Sequence, residues 1–218
     1  MPRLRVVEKT VFTFEELSER AKESAREWWR QSAREDFDGD CVIEDARQIA
    51  DILGVDLKTR GVRLMGGGTR QKPCIWWSGF SSQGDGACFE GRYAYKAGSC
   101  KAIRAYAPQD KTLHAIADSL AAAQKPFFYR LEARATHSGP YYYHEYCMAV
   151  EVSDTRTGDC GRDLEDAETA ITEALRDFAR WIYRQLEADY DYYMSPEHID
   201  DCLEANRYEF TEDGDFSA

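Results

Sequence analysis

Apolar residues recur at helical spacing in several segments of the chain, and helix-capping residues flank most of them. The first segment follows Thr13, which with Glu16 has the Thr-x-x-Glu spacing of a capping box. The longest keeps one apolar stripe from Leu164 to Leu186, about six helical turns. The pattern predicts five helices. The first follows Thr13, the second spans about residues 40–53, the third follows Asp110, the fourth begins near Asp163 and the fifth begins after Ser195.

Runs rich in β-branched and aromatic residues predict strands between these helices. They fall at residues 3–12, 55–65, 74–80, 87–95, 127–152 and 207–210. Because strands follow one another in hairpins, we expect an α+β fold. Its antiparallel sheet is built from β-hairpins, with several helices packed on it, including one long C-terminal helix. Residues 1–210 are expected to form a single domain and residues 211–218 a frayed acidic tail.

The hairpin at residues 127–152 carries a pattern that predicts its own register. If His137 lies opposite His144, then Leu131, Ala133 and Ala135 fall on an apolar face with large partners from the second strand. A slip by one residue would exchange the two faces. We therefore predict that the two histidines are cross-strand neighbours.

Composition and charge exclude several classes of protein. Hydrophobic residues make up 43% of the chain, too many for a disordered one, and no apolar run is long enough to span a membrane. The seven cysteines show no Cys-x-x-Cys pair, which favours reduced thiols in a cytosol. The net charge of −12 is uneven: residues 151–218 carry −14 and residues 1–150 carry +2.

The acidic C-terminal third has two interpretations. Its carboxylates either keep one face of the protein hydrated, or they form a surface that competes with nucleic acid for a basic groove on a partner protein. The carboxylates that we expect to contact such a partner are Glu165, Glu168, Glu173, Asp177, Asp189, Asp191, Asp200, Asp201 and Glu204.

The loop 81–86, with the sequence SSQGDG, is the most unusual local stretch. Its glycines can adopt positive φ, so its N–H groups can converge on an anion, and Asp85 can act as a base or bind a metal ion. The loop lacks both common nucleotide-binding fingerprints, so a plain hairpin turn is the alternative. His137 and His144 can form an acid–base or metal site, or can lie at the rim of the apolar face.

The run Tyr141, Tyr142 and Tyr143 falls at the predicted tip of the second hairpin, where exposed aromatic side chains can anchor a partner. Cys88 and Cys147 lie near candidate loops, but nothing around them matches a nucleophile signature. We expect no cofactor, no bound metal and no direct contact with nucleic acid or membrane.

Four stretches give the chain a family resemblance: VFTFEELSERAKESAREWWR, SGFSSQGDGACFEG, HSGPYYYHEYCMAVEV and CLEANRYEFTEDG. Together they resemble an uncharacterised family of bacteriophage and prophage proteins, whose members often carry the loose label antitoxin of a toxin–antitoxin stability system. The tail departs from that family, where the last residues tend to be more basic than Asp215 and Phe216. The resemblance implies a phage accessory protein that acts in the bacterial cytoplasm. It does not assign a catalytic role to any residue of this chain.

Three functions follow as hypotheses. The first is a non-enzymatic protein that binds host machinery through its acidic surface, as an inhibitor of a nucleic-acid-directed defence complex of the anti-CRISPR kind would. The second is an antitoxin-like partner of a toxin, although no basic recognition helix is present. The third is a metal-dependent hydrolase built on Asp85, His137, His144 and Glu145 around a bound ion, which requires the two hairpins to meet.

Overall fold

The structure is a computed structural model that describes residues 8–137, 139, 142–155 and 162–217, except for the side chains of residues 34, 35, 162 and 163. It confirms the α+β fold with a long C-terminal helix. In chain order, helices α1 to α6 of the described residues span Glu19–Asp36, Asp40–Leu53, Ser99–Tyr106, Lys111–Gln124, Arg162–Tyr193 and Pro196–Ala205.

Within the described residues, the strands pair only in antiparallel fashion. Strands β1 to β10 span Phe12–Thr13, Val55–Leu57, Thr59–Arg63, Thr69–Pro73, Ile75–Trp77, Ala87–Phe89, Gly91–Ala94, Leu131–His137, Met148–Asp154 and Glu209–Phe210. Four of them form a sheet in the order β2-β7-β8-β9, and the others form the pairs β3-β4, β5-β6 and β1-β10. The predicted hairpin between residues 74–80 and 87–95 is confirmed at β5 and β6.

The chain divides into two compact units, and the single domain expected for residues 1–210 stays a prediction. The central unit is residues 40–187, and the terminal unit is residues 1–39 with 188–218. Each has its own buried apolar cluster, which explains the division. Helix α5 belongs to the central unit up to Glu187 and to the terminal unit after it.

The core of the central unit lies between one face of the sheet and the helices. Ile171, Phe178 and Ile182 of α5 are fully buried in it, together with Ala133 and Val152 of the sheet. These are the positions that the two periodicities predicted as apolar faces. The period-2 strands and the period-3.6 helix therefore meet as their sequences indicate.

The predicted register of the second hairpin is wrong by four residues. His137 lies opposite Met148, and Ala133 lies opposite Val152. Residues 145–147 form a 3₁₀ turn that takes up the extra length before β9 begins. Because four is an even number, the apolar face keeps the predicted residues, but the two histidines are not cross-strand neighbours.

In the terminal unit, the expected frayed tail instead packs on α1. The Phe216 ring stacks on Trp28 with centroids 4.3 Å apart, and Phe216 forms a β-bridge with Phe210. Gly214 has a φ of 88°, and a Cβ there would lie 2.0 Å from the carbonyl oxygen of Ala21. Only glycine allows this close approach, which explains how so polar a segment is held against the helix.

Local sequence signals located most of the helix starts. The capping box at Thr13 and Glu16 is present, although it opens a 3₁₀ turn and α1 begins after Ser18. The Asp110 and Ser195 side chains accept hydrogen bonds from the N–H groups of Leu113 and His198, as capping residues do. The prediction missed the short helix α3 and strand β4, and the predicted strand at residues 3–12 lies partly outside the described residues.

Candidate functional site

The SSQGDG loop joins β5 to β6, and its Asp85 closes the loop itself. The Asp85 carboxylate accepts hydrogen bonds from the backbone N–H groups of Ser81 and Ser82, at 2.9 and 2.6 Å. Gly84 supplies a positive φ of 107°. The N–H groups that an external anion would need are therefore directed at Asp85, as in an ordinary side-chain-stabilised turn.

The loop meets one of the two histidines. A Cβ added to Gly86 would lie 2.7 Å from the His144 ring, so the absence of a side chain lets the loop pack on that imidazole. His137 has different partners: its ring centroid lies 5.6 Å from that of Trp76 and 5.4 Å from that of Tyr143, and its Nε2 is 2.9 Å from the carbonyl oxygen of Tyr142. Each imidazole is thus held in a separate environment.

A buried carboxylate lies next to His144. Glu145 is 6% exposed, and its two oxygens lie 2.9 Å from Arg180 Nε and 3.0 Å from His144 Nδ1. The same Nδ1 accepts the Tyr146 N–H at 3.3 Å when it is unprotonated and can donate to Glu145 when it is protonated. Glu145 thus connects the hairpin tip to α5 through a charged pair.

Two arginines of α5 surround the exposed ring of Tyr146. The Arg176 and Arg180 guanidinium groups lie 5.1 and 5.9 Å from its centroid, and the ring stacks on His144 at 5.4 Å. Tyr146 is 64% exposed. Sequence analysis missed this cluster, because the contacts join residues about 30 positions apart.

Three of the nine carboxylates expected to bind a partner are already neutralised. Glu173 pairs with Arg176 at 2.8 Å and with Arg180, and Asp177 pairs with Arg180. A hydrogen bond from Arg176 is the main cause of the lowered pKa of Glu173. Glu173 precedes Arg176 by three residues, as Asp177 precedes Arg180, and this helical spacing is the sequence signal for such pairs.

The third neutralised carboxylate is Asp200 of α6. Its two oxygens accept bidentate hydrogen bonds from Arg26 at 2.7 and 2.8 Å. The other six expected contacts make no ion pair with a described side chain: Glu165, Glu168, Asp189, Asp191, Asp201 and Glu204.

The uncompensated charge is concentrated in one stretch. The terminal unit contains 19 Asp and Glu against nine Lys and Arg, a net charge of −10, so the central unit carries −2. Residues 188–217 alone hold ten carboxylates, and nine of these make no ion pair with a described side chain. We call residues 188–217 the acidic segment.

The predicted aromatic tip is only partly visible. Tyr141 lies outside the described residues, Tyr142 is 68% exposed, and Tyr143 is half-buried against the central core. Tyr142 is therefore the member of the trio that the structure leaves open to a partner.

No group of three or more His, Cys, Asp or Glu side chains with the spacing to hold a metal ion occurs among the described residues. Burial raises the pKa of the Cys88 thiol to about 12, and the nearby Cys147 adds to the shift, so Cys88 is a poor nucleophile. In the same described portion, no helix has the length and apolar character that a membrane crossing requires.

A family model matches residues 39–196, which include the whole central unit and the start of the acidic segment. The family is described as a domain of unknown function, DUF8835. No curated protein and no solved structure matches the chain. Because the match covers more than half of the sequence, the chain belongs to the DUF8835 family.

Proposed function

We propose that this protein is a non-enzymatic interaction protein whose acidic segment occupies a basic, nucleic-acid-binding groove on a partner protein. The proposed setting is the bacterial cytoplasm, where a phage or prophage accessory protein of this kind inhibits a nucleic-acid-directed defence complex. The observation that carries the proposal is the set of nine carboxylates of the acidic segment without an ion-pair partner in the described chain.

These carboxylates are held on ordered elements. Helix α6 begins at a Ser195 cap and buries Ile199 and Leu203, so Asp201 and Glu204 point to solvent from a fixed backbone. Gly214 fastens the residues after β10 to α1. Fixed negative charges can substitute for a row of phosphates, because a groove that binds nucleic acid neutralises charges at regular intervals along a backbone.

The pairing pattern argues that this charge is not a by-product of a generally acidic surface. On α1, the glutamates Glu19, Glu23 and Glu27 each have a Lys or Arg neighbour on the same helix. On α5, Glu173 and Asp177 are paired as well. Compensation is thus common in the chain and largely missing from the acidic segment, where attraction to a basic partner remains strong.

The experiment compares two triple variants with the same change in net charge. Asp191→Asn, Asp201→Asn and Glu204→Gln neutralise the acidic segment. Asp56→Asn, Glu132→Gln and Glu151→Gln neutralise exposed, unpaired positions of the central unit. Each variant is used to capture partners from prophage-bearing cells at low and at physiological salt, with identification by mass spectrometry.

We expect the first variant to lose the partner that wild type retains, and the second to keep it. Binding should also weaken with salt, because the screening length shortens to about 8 Å near physiological ionic strength. Equal loss in both variants, or binding that is independent of salt, contradicts the proposal. Capture of a toxin encoded next to this gene would favour the antitoxin-like alternative instead.

A further inference from the structure

Strand β9 forms one edge of the four-stranded sheet, and the phase of its hydrogen bonds can be read directly. The Thr155 N–H donates to the carbonyl oxygen of Arg130, which lies opposite it in the register. Since hydrogen-bonded and non-hydrogen-bonded pairs alternate along an antiparallel ladder, Ala149, Glu151 and Ser153 direct their main-chain groups at β8. The hydroxyl of Thr136, which donates to the Ala149 carbonyl at 3.5 Å, agrees with this phase.

The alternate residues therefore turn their main-chain groups away from the sheet. These are Val150 and Val152, each with one N–H and one C=O on the outer side of β9. Met148 is different, because its N–H donates to the carbonyl oxygen of Glu145. Within the residues that the structure describes, nothing pairs with the outer groups of Val150 or Val152.

Within the described residues, no lysine, proline or bulge protects this edge against strand addition. Exposed edges are normally kept short or are interrupted by lysine, proline or a bulge. At the opposite edge, β2 is only three residues long. Strand β9 has seven residues with the sequence MAVEVSD and pairs with β8 without a bulge.

A groove of about 410 Å³ lies at the N-terminal part of this edge, between β9 and α5. Met148, Ala149 and Val150 line one side of it, and residues of α5 from Glu165 to Arg176 line the other. The three β9 residues that line the groove extend about 10 Å, and the facing stretch of α5 rises about 17 Å.

The electrostatics of the groove are set by two carboxylates. Glu165 and Glu168 line the groove and make no ion pair with a described side chain, whereas Glu173 is compensated by Arg176. A strand added beside β9 would point every second side chain toward α5. Basic side chains at those positions would lie beside Glu165 and Glu168.

We propose that the β9 edge binds an extended segment of a partner protein that carries Lys or Arg at alternate positions. The main-chain groups of Val150 and Val152 hydrogen-bond the added strand, and Glu165 and Glu168 select its side chains. A second copy of this chain is disfavoured, because the same two carboxylates would face their own copies. This surface lies in the central unit and does not depend on the acidic segment.

The test uses a labelled synthetic peptide that alternates lysine with threonine and valine, and a control peptide with glutamate in place of lysine. Fluorescence anisotropy measures binding to the full chain. We expect Val150→Pro to weaken binding about tenfold or more, because proline removes an outward N–H and blocks the edge. The double change Glu165→Lys with Glu168→Lys should weaken it about tenfold at low salt, whereas Asp166→Lys, on an exposed position that does not line the groove, should have a much smaller effect.

Hydrogen exchange of the wild type supplies a readout that requires no variant. The amides of Val150 and Val152 should exchange readily in the free chain and become protected when the lysine peptide is added. Protection already present in a monomer would mean that another segment of the chain covers the edge, and this would overturn the proposal. Three other results would overturn the proposal as well: a dimer of this chain that Val150→Pro dissociates, equal binding of the two peptides, and binding of the lysine peptide that Val150→Pro leaves unchanged.

Discussion

Replacing Gly214 by alanine tests whether a single close approach holds the acidic segment on α1. Two costs are expected. The residue has a φ of 88°, where a side chain is strained by about 1–2 kcal/mol. In addition, the new Cβ would lie 2.0 Å from the Ala21 carbonyl oxygen and 2.8 Å from its carbonyl carbon. Because these are helix backbone atoms, the segment and not the helix has to move.

The movement separates the contacts that follow Gly214. The Phe216 ring leaves Trp28, and such a stacked pair contributes about 0.5–1.5 kcal/mol beyond the burial of its area. Adding the backbone strain gives an expected loss of about 1.5–3.5 kcal/mol in the free energy of unfolding of the terminal unit. Gly68 provides a matched control, because its φ is 89° but no atom lies within 4 Å of its virtual Cβ.

Urea unfolding followed by tryptophan fluorescence and circular dichroism measures both variants. We expect Gly68→Ala to cost about 1–2 kcal/mol, from backbone strain alone, and Gly214→Ala to cost clearly more. The fluorescence of Trp28 should also change in native Gly214→Ala, because its stacked neighbour is displaced. If both variants lose the same free energy, the contact with Ala21 contributes nothing and the account of an anchored segment is refuted.

Three further outcomes can be measured independently. Arg26→Gln should cost about 1–2 kcal/mol in urea unfolding, because it removes a bidentate pair to α6 whose side chains are mostly buried. Lys58→Met should raise the NMR titration midpoint of Glu90 toward its ordinary value of 4.5, since the hydrogen bond from that lysine is the main cause of the lowered pKa. The lowered pKa of Glu90 stabilises the folded chain at pH values above the ordinary pKa, and this stabilisation is lost as the pH falls through the folded-state pKa. In Lys58→Met that contribution to the free energy of unfolding should be smaller. In the folded chain, Cys88 should resist alkylation in mildly alkaline buffer while the exposed Cys41 reacts, because burial raises the pKa of the Cys88 thiol.

Features encoded within a few residues were predictable from the sequence, and features that join distant residues were not. The caps at Asp110 and Ser195 and the apolar stripe of α5 are local, and the structure confirms them. The register of β8 and β9 failed because it depends on how many residues the connecting loop consumes. The pair of Glu145 with Arg180 joins two elements 35 residues apart, and no local pattern announces it.

The charge of the acidic segment was visible in the sequence, but its pairing was not. Counting residues gave −14 for the C-terminal third and placed the emphasis on α5. The structure places the uncompensated charge in the acidic segment instead, because arginines of α5 neutralise Glu173 and Asp177 while Asp201 and Glu204 make no ion pair with a described side chain. What decides the electrostatics is the position of each arginine relative to each carboxylate, which requires the fold.

Salt separates the two interpretations of this charge, because its effects on folding and on binding have opposite signs. A net charge of −10 in the terminal unit repels itself, so added salt should raise the stability of that unit by screening the repulsion. The same screening should weaken binding to a basic partner. If the carboxylates only keep the protein hydrated, added salt should raise stability without weakening partner binding. The changes Asp201→Asn and Glu204→Gln should then stabilise the protein at low salt and leave its affinity for the partner unchanged. If the carboxylates bind a partner, the stability of the wild type should rise with salt while its affinity for the partner falls. Both salt dependences should be weaker in the variant with Asp201→Asn and Glu204→Gln.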